Sequence, residues 1–225
     1  MSLMGSAVVA IWNDITDEGR ANFYQWHDRE HIPERIGIEG FLRGRRYIAT
    51  QGAPEYFTLY EVHDTAVLSS AAYLTRLNNP TTWTTDSVRH FRNTARSLCH
   101  TDMSLGIASG ATLGTLRFDC DPGQDRALME TIVRILRAVV EDPGIVAAHV
   151  CRADVAVSTA KTAEQTGRPP NAVPRWVIMV EGSMPQAVQA ALAGPLGSAT
   201  FSAFALTDAA RGTYVLQFDL LRSSG

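Results

Sequence analysis

Cysteine is scarce in this chain. Cys99, Cys120 and Cys151 make an odd set of three with no close pair, a pattern that signals neither a disulfide framework nor a zinc ribbon. Their expected state is buried thiols in a reducing cytoplasm. Long apolar runs are missing too, since none approaches the roughly 18 residues of a membrane span. The opening MSLMGS has no basic region leading into an apolar stretch, so no secretory signal is expected. Met-Ser-Leu ahead of a second methionine reads as an appended leader, with Met4 the natural start. No glycine-rich phosphate loop, dinucleotide fingerprint or serine nucleophile elbow occurs. A net charge of −3 argues against a general nucleic-acid-binding surface. The local basic run at Arg43, Arg45 and Arg46 reads most simply as a solvated or ion-paired strand.

What is present is enough hydrophobic residue, 45% of 225, to build one large domain or two smaller ones. Taken in order, Ala7 to Trp12 reads as a strand, and Thr16-Asp17-Glu18 as a helix start with acid in its first turn. That helix runs to about His31, where Pro33 removes a donor and biases Ile32 away from helical backbone. Gly40 opens a strand to Thr50, Gly52 to Pro54 turns, and Tyr56 to Val62 is a third strand. Helices are expected at Thr65 to Leu77 and Thr84 to Leu98, then a short strand near Met103 to Ile107. The pattern then repeats: strand 111–118, amphipathic helix 126–140, strands 145–152 and 175–181, helix 185–192 and strand 213–221.

Each half therefore reads strand, helix, strand, strand, helix, strand, at an offset of about 105 residues. That is the ferredoxin-like βαββαβ unit, and we place the two units at 6–108 and 109–225. The strands AVVAIW, YFTLYEV and WVIMV are apolar on both faces, so helices must cover one face and a second sheet the other. The expected fold is α+β, with tandem ferredoxin-like units forming a dimeric α+β barrel type of architecture and a cavity between sheets. Residues 154–173 are longer than a hairpin needs; a loop of that length is usually a functional lid or disordered, and a mobile loop is expected here.

Chemistry is concentrated between Asn22 and Arg46. His27-Asp28-Arg29-Glu30-His31 matches H-x-x-E-H, in which two histidines one turn apart hold zinc and a glutamate activates water. Pro33 interrupts the helix just beyond it, and no carboxylate helix follows to give a third ligand, so no metal is expected. His149, on an apolar strand of the second half, is the one candidate there for a haem ligand, and reads more simply as a satisfied core residue. No cofactor is expected.

A composite of short motifs is more specific. It runs Trp26-His27-Asp28, Glu30-His31-Ile32-Pro33-Glu34-Arg35, Gly40-Phe41-Leu42, Arg45-Arg46-Tyr47, Pro54, Tyr56 and Leu59-Tyr60-Glu61. It resembles a group of bacterial proteins in the dimeric α+β barrel superfamily, near the EthD-like proteins. Those show a Trp-Tyr-x-x-x-His-x-Pro core and a Pro-Gly-Phe re-entry into the second strand. Here His27 stands for the tyrosine and Glu39 for the proline. The resemblance covers residues 6 to about 100.

The superfamily includes cofactor-free oxygenases, isomerases, decarboxylases and haem enzymes, as well as barrels without catalysis. By position, the resemblance implies His31 as the proton-transfer residue, with Glu30 or Glu34 orienting it. Trp26, His27, Arg46, Tyr56 and Tyr60 would contact a small apolar or aromatic ligand. The plainer reading of His31 is a helix-end histidine bonded to a carbonyl, and of the aromatics, core. A homodimer is expected from open sheet edges and the superfamily's habit; no nucleic-acid or membrane partner is expected.

Overall fold

Two four-stranded sheets with apolar faces on both sides can close on each other, and this chain does so within itself. The computed structural model describes residues 3–223, so Met1 and Ser2 of the expected leader lie outside the described residues. Its strands are β1 (Ala7–Ile15), β2 (Phe41–Gly52), β3 (Tyr56–Val62), β4 (Phe91–Gly106), β5 (Thr112–Asp119), β6 (Ile145–Ala153), β7 (Trp176–Gly182) and β8 (Thr207–Leu221). They form a closed barrel in the order β1-β3-β2-β8-β5-β7-β6-β4, and every pairing is antiparallel. Each half has the same internal order: fourth strand, first, third, second. The halves meet where β2 pairs with β8 and β4 with β6. The strand edges that suggested a homodimer are thus consumed inside one chain. We keep 6–108 and 109–225 as the proposed units.

The barrel interior is not a cavity along its length. Trp12, Tyr47, Phe57, Leu59, Met179 and Tyr214 fill it, and Leu3 packs among them. The expected cavity between sheets is corrected here: among the described residues these side chains fill the middle of the barrel, while one space opens at a mouth and a second lies outside the wall. Helices cover the outside. On the second half, α5 (Asp125–Val139) presents Leu128, Ile132 and Leu136 to β5, β6 and β7, and α7 (Pro185–Ala193) joins it. On the first half lie α1 (Asp17–Trp26), α2 (Ile32–Ile36), α3 (Ala71–Asn78) and α4 (Thr82–Val88). The remaining helix, α6 (Val155–Ser158), opens the long loop.

Two elements differ from expectation for identifiable reasons. Val88, Phe91, Ala95 and Leu98 recur at helical spacing, yet the chain leaves the helix at Val88 and runs as β4 from Phe91. Pairing with β1, with Ile15 opposite Phe91, Trp12 opposite Ala95 and Val9 opposite Leu98, overrides that local pattern. Pro33 does not end the first helix either. A π turn, His27–His31, carries α1 into α2, and the Ile32 N–H bonds the His27 carbonyl five residues back. Widening the turn there absorbs the donor that Pro33 lacks, and such turns cluster at functional sites.

Gly40 follows with φ +88°, a left-handed turn open to glycine that sends Phe41 into the core. Gly44 serves a close approach. A Cβ there would lie 2.9 Å from Ile32 Cγ2 and 3.1 Å from the Tyr60 ring, and both neighbours are buried. Gly44→Ala is expected to cost about 1–3 kcal/mol by forcing α2 off the wall. Urea unfolding checks this, and a loss within about 0.5 kcal/mol would mean that α2 is free to shift.

Candidate active site

The π turn sets the site. It presents His27 and His31 to the outer wall of the barrel, both buried, with ring centroids 5.5 Å apart and nearly parallel. Trp26 lies against His31 at 4.3 Å, and Phe23 stacks on His27 at 4.9 Å. A chamber of about 50 Å³ opens beside them, walled by Trp26, Asn13 and Thr58 on one side and by Arg96 on another. Of the buried polar atoms without a protein partner, three lie in this region: His31 Nδ1, Asn13 Nδ2 and the Tyr60 hydroxyl. His31 and Asn13 both line the chamber, and the Tyr60 ring lies 6.4 Å from His31. Orphan groups of this kind normally mean a water or a ligand.

Both imidazoles are held neutral. Burial pushes the His31 pKa well below 6.5, assisted by Arg35, His27 and Arg96. His27 is lowered in the same way by burial, with Arg46 and Arg35 adding to it. Arg46 Nη1 points at His27 Nδ1 at 3.3 Å, and because a guanidinium only donates, Nδ1 accepts and the proton sits on Nε2. Arg46 also pairs with Asp28 and lies over the Tyr24 ring at 4.8 Å.

The other residues expected at the site divide. Glu30 turns away from His31: its Oε1 accepts from Thr81 Oγ1 at 2.6 Å and Thr84 Oγ1 at 3.2 Å. Trp26 Nε1 donates to the same Thr84 Oγ1 at 3.1 Å, so Glu30 and Trp26 fasten the turn to α4. Glu34 pairs with Arg76 at 2.8 Å. The Tyr56 hydroxyl bonds Tyr24 and Arg20, and its ring packs on Phe23; it is outside the chamber wall. The zinc pattern does not assemble. The two histidine rings stack face to face instead of converging, Glu30 is taken, and among the described residues no three metal-ligating side chains come together. His149 lies inside the barrel with Nδ1 3.0 Å from Ser104 Oγ and Nε2 3.4 Å from Glu181. Neither nitrogen is left for a haem iron.

Residues that the sequence reading missed close the chamber. The loop 154–173 of the second half crosses to the first and lays Thr162, Glu164, Gln165, Arg168 and Asn171 over it. Buried Arg35 fixes that loop through Glu164 at 2.5 Å, and Ala172 bridges Ala95. These two contacts tie the segment to the first half. Arg35 stands four residues beyond His31, a position legible only if the helix is read through Pro33. Asn13 was hidden by ending β1 at Trp12.

Neutral burial of the two histidines has a measurable consequence. In the unfolded chain they titrate near 6.5, while folding lowers both. Below about pH 6.5 the unfolded state therefore binds more protons, and stability falls with pH. Urea midpoints are expected to be flat from pH 8 to about 6.5 and to drop toward pH 5. His31→Gln should shallow that slope; an unchanged slope would mean that His31 keeps its charge when folded.

No family model and no curated protein matches the chain. Solved structures do. An anthrone oxidase-like protein superposes with a TM-score of 0.67 at 14% identity, over 100% of this chain and 97% of its own. A provisionally assigned monooxygenase from Fusobacterium nucleatum gives 0.60 at 8%, over 99% and 98%. A provisionally assigned chlorite dismutase gives 0.54 at 10%, over 96% of each. At these identities the likeness shows the fold alone, an antiparallel α+β barrel closed within one chain. No helix among the described residues is long and apolar enough to cross a membrane.

Proposed function

We propose that the protein is a cofactor-independent enzyme in which His31 takes a proton from an acidic C–H or O–H of a small aromatic or polyketide-like molecule. The observation that carries this is the buried, unpartnered Nδ1 of His31, beside the equally unpartnered Asn13 amide in the same chamber. A histidine kept neutral is in its base form at pH 7. The cations that lower its pKa, Arg35 and Arg96, also favour the enolate or phenolate left behind when the proton goes. That anion can be reprotonated at another carbon or pass electrons to dioxygen. The likeness to an anthrone oxidase-like protein agrees with an aromatic ketone of acidic C–H, though it speaks directly only to fold.

Anthrone is the first probe. In D2O under nitrogen, its benzylic methylene is expected to exchange faster with the protein than in buffer. Under air, anthrone plus O2 should yield anthraquinone and water. His31→Gln, shown to be folded by circular dichroism, should lose both. Exchange that persists in the variant would remove His31 from the chemistry. A second reading keeps the fold as a non-catalytic ligand-binding barrel. In its favour, a chamber of about 50 Å³ holds a water or two and not an aromatic ring. Catalysis therefore requires the segment around Arg168 to move.

A further inference from the structure

We infer that the open mouth of the barrel is a binding site for a small organic anion, held between Arg117 and Arg168. This goes beyond the His31 reading and does not depend on it. The space there measures about 810 Å³, bounded by the start of β4, the ends of β5 and the loop, and Asp208 at the start of β8. That is ample for an aromatic acid. It shares Phe91, Thr94, Arg168 and Asn171 with the histidine chamber, so one wall divides the two.

Arg117 projects from β5 at this mouth, stacked on Trp12 at 4.9 Å, with its Nη1 buried and without a partner. Arg168 comes from the loop, lies 5.2 Å over Phe91, and spends one donor on Thr94 Oγ1 at 3.3 Å. Among the described residues neither forms a direct ion pair with a carboxylate. The carboxylates nearby are spoken for or peripheral. Asp14 accepts from the Glu55 N–H and from Asn93 Nδ2. Asp119 accepts from the Arg175 N–H at 2.9 Å, Glu164 is drawn to Arg35, and Asp208 is exposed on the rim with φ +51°. Arg92, the third cation of the lining, donates to the Arg89 and Phe91 carbonyls.

Two guanidinium groups, each laid on an aromatic face with donors to spare, match a planar carboxylate or phenolate, which accepts in plane while its ring stacks. Burial lowers the pKa of both arginines, the sign of cations whose lost hydration is not repaid by protein partners. Phe91 and Pro169, Pro170 and Pro174 supply apolar wall for the rest of the molecule, which favours an organic anion over a bare inorganic one.

Salicylate, its neutral analogue salicylamide, and inorganic phosphate separate these terms by isothermal titration of the full chain. Salicylate is expected to bind, salicylamide and phosphate at least tenfold more weakly. Arg117→Gln and Arg168→Gln should each weaken salicylate by about tenfold or more, as loss of a charge-assisted pair does. Asp208→Asn removes a repelling charge without needing a new backbone state, and should tighten it. His31→Gln should leave salicylate binding unchanged, which keeps this test separate from the catalytic one. Equal binding of the amide, or of phosphate, or an undiminished affinity in Arg117→Gln would overturn the assignment.

Discussion

Arg45→Met is expected to destabilise the protein by about 3–5 kcal/mol, a large share of what holds a domain of this size together. Arg45, on β2, is fully buried. Its Nη1 meets Glu181 Oε2 at 2.9 Å and its Nη2 meets Glu61 Oε1 at 2.8 Å, and both carboxylates are fully buried too. Glu181 also accepts the Gly110 N–H at 2.9 Å, with His149 Nε2 3.4 Å away. Glu61 accepts the Met4 N–H at 2.8 Å, with Arg43 at 4.0 Å. Removing Arg45 leaves two buried carboxylates without the guanidinium between them, the nearest other arginine being Arg43 at 4.0 Å from Glu61.

The pH dependence identifies the cause. Burial alone would raise the Glu181 pKa, but His149 and Arg45 hold it at about 2, below its unfolded value near 4.3. In the native protein this contributes stability that is complete above the unfolded value and is lost as pH falls toward 2. Without Arg45, Glu181 loses a cation that offsets its burial and its carboxyl rises, so the variant's deficit should be widest at pH 8 and narrow as pH drops. Neutralising the acids as well, in Arg45→Met with Glu61→Gln and Glu181→Gln, keeps acceptors for the Gly110 and Met4 amides and should restore much of the loss. Urea unfolding of both variants at pH 8 and pH 5 is the measurement. A single variant within about 1 kcal/mol of the native protein would show that water reaches these carboxylates.

This network shows where sequence reading stops. Arg43, Arg45 and Arg46 look alike in a strand, and alternation puts Arg45 inside and Arg46 outside only once the wall is known to be a closed barrel. Arg45 then meets Glu181, which is 136 residues away, a pairing no local pattern encodes. The elements themselves were largely legible, because strands apolar on both faces and the amphipathic spacing of α5 are local signals. β4 was not, since its outward and inward apolar residues happen to recur at helical spacing. At the candidate site, Trp26, His27 and His31 follow one another through α1 and its π turn, so a local pattern groups them. Arg35, Arg96 and Arg168 come from beyond a proline, from the misread strand and from the other half, and were missed. Glu30 shares that pattern, yet its carboxylate faces Thr81 and Thr84 at α4, a direction that sequence spacing does not encode.

His31→Gln is expected to lower turnover of an anthrone-type substrate by about 10²–10⁴-fold, the usual worth of a positioned general base. Size alone would not separate a base from a brace, since a packed ring next to Trp26 also holds the turn in place. The pH profile does. A base whose folded pKa lies well below 6.5 is already deprotonated at pH 6.5, so the rate should be flat from there to pH 8 and fall only on the acid side. An unperturbed imidazole would instead still be gaining rate across pH 6–7. Glu30→Gln supplies the contrast: its amide carbonyl still accepts from Thr81 and Thr84, so a bracing role predicts a rate within about threefold of native, the cost of swapping a charged acceptor for a neutral one. If Glu30→Gln instead lost as much as His31→Gln, the turn would have to rearrange in the substrate complex to bring that carboxylate to the imidazole. If His31→Gln kept both its rate and its profile, the two buried histidines would be part of the wall, and the chemistry would belong to the arginine-lined mouth beyond it.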